Sequence, residues 1–107
     1  MPLLKGTLDP LVLKALSWGP MHAFEIACWL EERSAGELAI EEAALLQALH
    51  RLEERGLLLA EWGVTANNRR ARYYKMTATG RAHLRVETES LKTSVAALTA
   101  ILGARSA

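Results

Sequence analysis

The stretch 45–80, LLQALHRLEERGLLLAEWGVTANNRRARYYKMTATG, decides the fold. Leu45, Leu49 and Leu52 stand at i, i+4 and i+7 and give a helix one buried stripe, while Ala43, Gln47, His50 and Glu54 fall on its opposite face. This helix is expected over residues 41–55. Glu41 and Glu42 suit its N-terminus and Arg55 its C-terminus through the helix dipole, and Gly56 supplies a left-handed stop. Residues 57–64 then read as a strand and 71–76 as its partner, Tyr73 and Tyr74 having high strand propensity. The connecting loop 65–70 is too long for a two-residue turn and should be mobile unless something binds it. It carries Asn67, Asn68, Arg69 and Arg70. This order is a helix followed by a β-hairpin wing, so the expected fold is mainly α with a small β-hairpin.

The flanks extend this pattern. Toward the N-terminus, Thr7 is placed to cap a first helix, Asp9 and Pro10 suit its first turn, and Leu8, Leu11, Val12, Ala15 and Leu16 recur at helical spacing. Gly19-Pro20 ends it. A second helix is expected over residues 21–32, with Phe24, Ala27, Cys28 and Trp29 toward the core, and Ser34-Ala35-Gly36 stops it. Toward the C-terminus, Thr77 looks like the cap of a last helix that extends to Leu102 and stops at Gly103. Along it Leu84, Leu91 and Leu98 repeat every seven residues, and Thr88, Val95 and Leu102 form a second row. That spacing of threes and fours is the seam of a helix pair. The helix has too little partner surface within its own chain, so a homodimer is expected, with Leu84, Leu91, Val95, Leu98 and Leu102 in the interface. The division is 1–77 for a winged-helix DNA-binding domain and 78–107 for a dimerisation helix, within one compact unit.

Composition narrows the function. At 107 residues and a formal net charge of +1, the chain holds one domain and is not basic overall. The charge is uneven: residues 25–61 hold nine acidic and three basic residues, whereas 62–85 hold six basic and no acidic ones. A local basic stripe on a hairpin points to nucleic acid; the plainer reading is a solvated hairpin. Cys28 is the only cysteine, so no intrachain disulfide forms. The start MPLLKG lacks a secretory pattern, and no apolar run approaches the ~18 residues needed to span a bilayer, so a cytoplasmic protein with no membrane partner is expected.

Arg69, Arg70 and Arg72 are the expected phosphate contacts. Each neutralised phosphate adds about −0.9 to the log–log salt slope, so three arginines on each of two wings imply a slope of about −5. Gln47 can read adenine and His50 can donate to phosphate or guanine, although exposed polar residues on helices are ordinary. Arg51 can reach a phosphate, or pair with Glu54 or the helix C-terminus. Trp18 or Trp29 could line a pore at the dimer interface for a flat aromatic effector; the plainer expectation is that the tryptophans pack in the core or on the partner's terminal helix. Cys28 reads as a small buried hydrophobe. His22, His50 and His83 lack zinc spacing, no nucleotide or nucleophile motif occurs, and the paired glutamates diverge on their helices. No enzyme, metal or cofactor is expected.

These residues resemble a known family. G-T-L-D-x-L-V-L-x-A-L at residues 6–16, H-x-x-E-I at 22–26, L-x-x-A-L-H-R-L-E-E-R-G-L-L at 45–58 and R-Y-Y-x-M-T-x-x-G at 72–80 are similar, in order, to the PadR family of bacterial transcriptional regulators. The resemblance covers roughly residues 4–85, and the single terminal helix matches the short class of that family. It implies a dimeric winged-helix repressor on a pseudo-palindromic operator, often relieved by a small effector, with the third helix in the major groove and the wing beside it. The chain also departs from the pattern. Where the family commonly has Gly-Thr-Leu-Tyr-Pro, residues 43–47 are Ala-Ala-Leu-Leu-Gln, preceded by Glu41 and Glu42, and Ala23-Phe24 replaces Gly-Tyr after His22. The lost hydroxyls and added carboxylates favour a rival expectation, a winged-helix protein-interaction module that no longer binds DNA strongly; the basic wing favours DNA.

Overall fold

In a computed structural model, residues 6–104 are described; residues 1–5 and 105–107, the outer ends of the two expected spans, lie outside them. The order is α1 (Leu8–Leu16), β1 (Met21–His22), α2 (Ala23–Arg33), α3 (Glu42–Glu54), β2 (Leu58–Val64), β3 (Arg70–Met76) and α4 (Ala78–Leu102). The strands form one antiparallel sheet in the order β1-β3-β2.

The core takes the leucine stripe that the periodicity marks in α3 and much of the one in α1, whereas in α2 it takes Ile26 and Leu30 in place of the residues expected there. Val12, Leu13 and Leu16 of α1, Ile26 and Leu30 of α2, Leu45, Leu49 and Leu52 of α3, and Leu58, Tyr74 and Met76 of the sheet are buried together. Each such leucine contributes about 1.5–3 kcal/mol by leaving water. The α3 expectation holds to within a residue at each end, with Glu41 and Arg55 as caps. Gly56 takes φ +74°, the left-handed conformation that turns the chain into β2.

The N-terminal half departs from expectation in three places. Thr7 stands at the N-cap of α1 in helical conformation (φ −81°, ψ −30°) and makes no capping hydrogen bond; a side-chain cap needs the extended backbone that Thr7 lacks. The second helix starts at Ala23, because Met21 and His22 pair with Tyr74 and Tyr73 as a short third strand. His22 caps α2 instead: its Nδ1 accepts from the Glu25 backbone N–H at 3.3 Å, and its own N–H donates to Glu25 Oε1 at 3.2 Å. Phe24 is 74% exposed and points away from the core, where Ile26 and Leu30 carry the buried stripe of α2. Cys28 is half-buried.

The hairpin register runs from Leu58 opposite Met76 to Val64 opposite Arg70. The loop at its tip is closed by hydrogen bonds of its own: Thr65 N–H donates to the Arg69 carbonyl at 2.8 Å, Asn68 N–H to the Thr65 carbonyl at 2.9 Å, and Arg69 N–H to Thr65 Oγ1 at 3.2 Å. Thr77 caps α4 by accepting from the Gly80 N–H at 2.9 Å, and its hydroxyl donates to the Gly56 carbonyl at 2.8 Å. The N-terminal half of α4 lies on α1, with Leu84 against the core. Its C-terminal half leaves the body, and Val95, Leu98, Ile101 and Leu102 are exposed. No helix among the described residues is long and apolar enough to cross a membrane.

Candidate nucleic-acid interface

Two elements place the polar residues. Helix α3 buries Leu45, Ala48, Leu49 and Leu52, which leaves Glu42, Ala43, Leu46, Gln47, His50 and Glu54 on the outer face. Leu46, Gln47, His50 and Arg51 border a shallow hollow of about 420 Å³. The wing tip holds Asn67, Asn68, Arg69 and Arg70, all exposed.

Electrostatic partners divide the cations. Arg51 reaches across to α1 and donates to Asp9 Oδ1 at 2.7 Å. That hydrogen bond raises the guanidinium above its already high ordinary value. The pairing with Glu54 expected as its alternative is taken by His50, whose Nε2 stands 2.7 Å from Glu54 Oε1. Arg72 donates to Glu53 Oε2 of α3 at 2.8 Å. Arg70 lies with its guanidinium carbon 4.7 Å from the centroid of the Trp62 ring. Among the described residues, the side chains of Gln47, Asn67, Asn68 and Arg69 have no hydrogen-bond or ion-pair partner in the chain. The structure therefore brings six of the expected residues to two exposed faces and ties Arg51 and Arg72 to carboxylates. Asp9, Glu53 and Trp62 were missed in the sequence. Strand alternation combined with the hairpin register would have found Trp62, since it sets residues 62, 70 and 72 on one face.

The other expected sites lie apart. Trp18 is 68% exposed at the end of α1. Trp29 packs against the core with the Arg33 guanidinium 5.3 Å from its ring. Neither lines the groove of about 1070 Å³ that runs between α1 and α4 and is walled by Pro10, Leu11, Leu84, Leu91 and Val95. Leu98 and Leu102 of α4 do not line that groove, although Thr99 and Ala100 do.

A helical trio, a recognition-type third helix and a basic hairpin beside it define a winged-helix protein. The sequence model of the transcriptional regulator PadR-like family matches residues 12–86. The chain belongs to that family and is a transcriptional regulator of the PadR type. Solved structures agree in fold. A PadR family transcriptional regulator from Eggerthella lenta is 27% identical, with a TM-score of 0.78 and 94% of this chain and 86% of that one covered. A PadR-like transcriptional regulator from Bacillus cereus is 19% identical, with a TM-score of 0.81 and 95% and 97% covered. Bacillus subtilis PadR, solved in complex with operator DNA, is 16% identical with a TM-score of 0.68, and the match spans 76% of this chain and 46% of that one.

Proposed function

We propose that the chain is a cytoplasmic repressor that binds a pseudo-palindromic operator as a homodimer. The observation that carries this reading is the wing tip. Among the described residues Asn67, Asn68 and Arg69 of the exposed wing tip have no side-chain partner, and neither has Gln47 on the exposed face of α3. Groups of this kind, left exposed and unpaired, are suited to phosphate oxygens and base edges. On this reading residues 1–77 bind DNA, with Gln47 and His50 toward bases in the major groove and Asn67, Asn68, Arg69 and Arg70 on the flanking backbone. Arg51 and Arg72 serve by holding α3 through their carboxylates. Residues 78–107 dimerise, and the exposed row of Val95, Leu98 and Leu102, continuing from Leu84 and Leu91, supports a second copy on α4. A flat aromatic effector held at Trp18 or Trp29 would act by binding one spacing of the two α3 helices better than the other.

The second reading, a protein-interaction module, is favoured by a specific feature of α3. Its N-terminus presents Glu41 and Glu42 with the exposed Leu46, a surface that repels phosphates and suits a protein partner. Binding of the protein to duplex DNA from upstream of its own gene, against a scrambled duplex of equal length, separates the two. Selective binding is expected. Equal, weak binding to both, together with elution from heparin at low salt, would favour the interaction module.

A further inference from the structure

The inner face of the wing carries a column of side chains that DNA contact by cations alone does not explain. Val64 stands opposite Arg70, Trp62 opposite Arg72 and Ala60 opposite Tyr74. Alternation turns these residues to one face, the face whose inner end, at Leu58 and Met76, is buried in the core. At its base Arg72 lies 6.0 Å from the Tyr74 ring and donates to Glu53 of α3 at 2.8 Å. Further out, the Arg70 guanidinium lies 4.7 Å over the indole of Trp62. Trp62 is 64% exposed, so burial does not account for a tryptophan there. Stacking does: a ring takes the face of a guanidinium and leaves the in-plane N–H edge free to donate.

We propose that Trp62 is the positioning residue for Arg70, holding its guanidinium flat so that the donor edge is presented to a DNA phosphate, while Arg72 and Glu53 tie the base of the same column to α3. The proposal rests on the DNA-binding reading and deepens it. An unstacked arginine loses its rotamer freedom when it docks; a stacked one has surrendered part of it beforehand. The indole therefore changes affinity without changing the number of phosphates neutralised.

The test measures affinity for a labelled mixed-sequence duplex over a salt series. The proteins are wild type, Trp62→Val, Trp62→Phe, Arg70→Ala and Trp62→Val/Arg70→Ala. Valine preserves strand propensity. Trp62→Val is expected to bind more weakly by roughly two- to fivefold per wing, with the wild-type salt slope. Arg70→Ala flattens the slope by about 0.9 per wing. The double variant should bind like Arg70→Ala, and Trp62→Phe should recover most of the loss. Loss at Trp62 that multiplies in full with loss at Arg70, or no loss at all, would overturn the proposal. Proton NMR of the free protein keeps the two readings apart. The Arg70 δ-methylene protons should be shifted upfield by the indole and return on Trp62→Val; absence of that shift overturns the stack itself. A shift seen in a wild-type protein that does not bind DNA overturns the phosphate role through failure of the DNA-binding reading.

Discussion

Gly80 stands where no side chain fits. A Cβ built there would collide with the Leu57 carbonyl oxygen and come within 2.8 Å of Met76 Cγ. The carbonyl cannot yield, because it accepts the Thr77 N–H at 3.1 Å. Gly80→Ala should therefore cost about 1–3 kcal/mol of stability, as overpacking does; an unchanged urea midpoint would contradict this. Thr77→Ala removes both the cap of α4 and the bond to the Gly56 carbonyl, and should lower stability by about 1 kcal/mol in the same assay. Leu49, fully buried, is the reference: Leu49→Ala should cost about 2–5 kcal/mol. The cap at Thr77 was legible in the sequence because capping is local chemistry. The need for glycine three residues later was not, because it comes from Leu57 across the fold. Phe24 was misread for a related reason: its spacing permits a core position, but α2 turns Ile26 and Leu30 to the core and leaves Phe24 in solvent.

Helix α3 is held from both sides. Arg51 joins it to Asp9 of α1, and Glu53 joins it to Arg72 of β3. Both pairs are partly exposed, so a double-mutant cycle over Asp9→Ala and Arg51→Ala should give a coupling of only about 0.2–1 kcal/mol. Their effect belongs to orientation: Arg51→Ala should weaken DNA binding while leaving its salt slope unchanged, whereas a flattened slope would make Arg51 a phosphate contact after all. The helix was readable from its 3.6 period, its stop from the glycine itself, and the wing strands from residues of high strand propensity such as Tyr73 and Tyr74. Strand β1 was not readable. Two residues hold no period, and they become a strand only by pairing with Tyr73 and Tyr74 some fifty positions along the chain. The Asp9–Arg51 pair, 42 residues apart in sequence, was invisible for the same reason.

The described chain measures 61 × 29 × 21 Å, long in one direction because the end of α4 projects from the body. Ile101 and Leu102 are 73% and 83% exposed on that projection. A single chain leaves this apolar row in water, and a second copy would cover it. Leu91→Glu/Leu98→Glu should sediment as a folded monomer; a variant that stays dimeric would place the interface elsewhere. In the proposed homodimer the wings are doubled, so the electrostatic signature of DNA binding would be a property of the pair. The most direct test is therefore the salt dependence of binding to the DNA upstream of the protein's own gene, for wild type and for Arg69→Ala/Arg70→Ala. Selective wild-type binding with a slope roughly 3–4 units steeper than that of the variant is expected, two arginines having been removed from each of two wings. Equal slopes for the two proteins, or no selective binding by a folded, dimeric wild type, would contradict a wing-anchored operator complex.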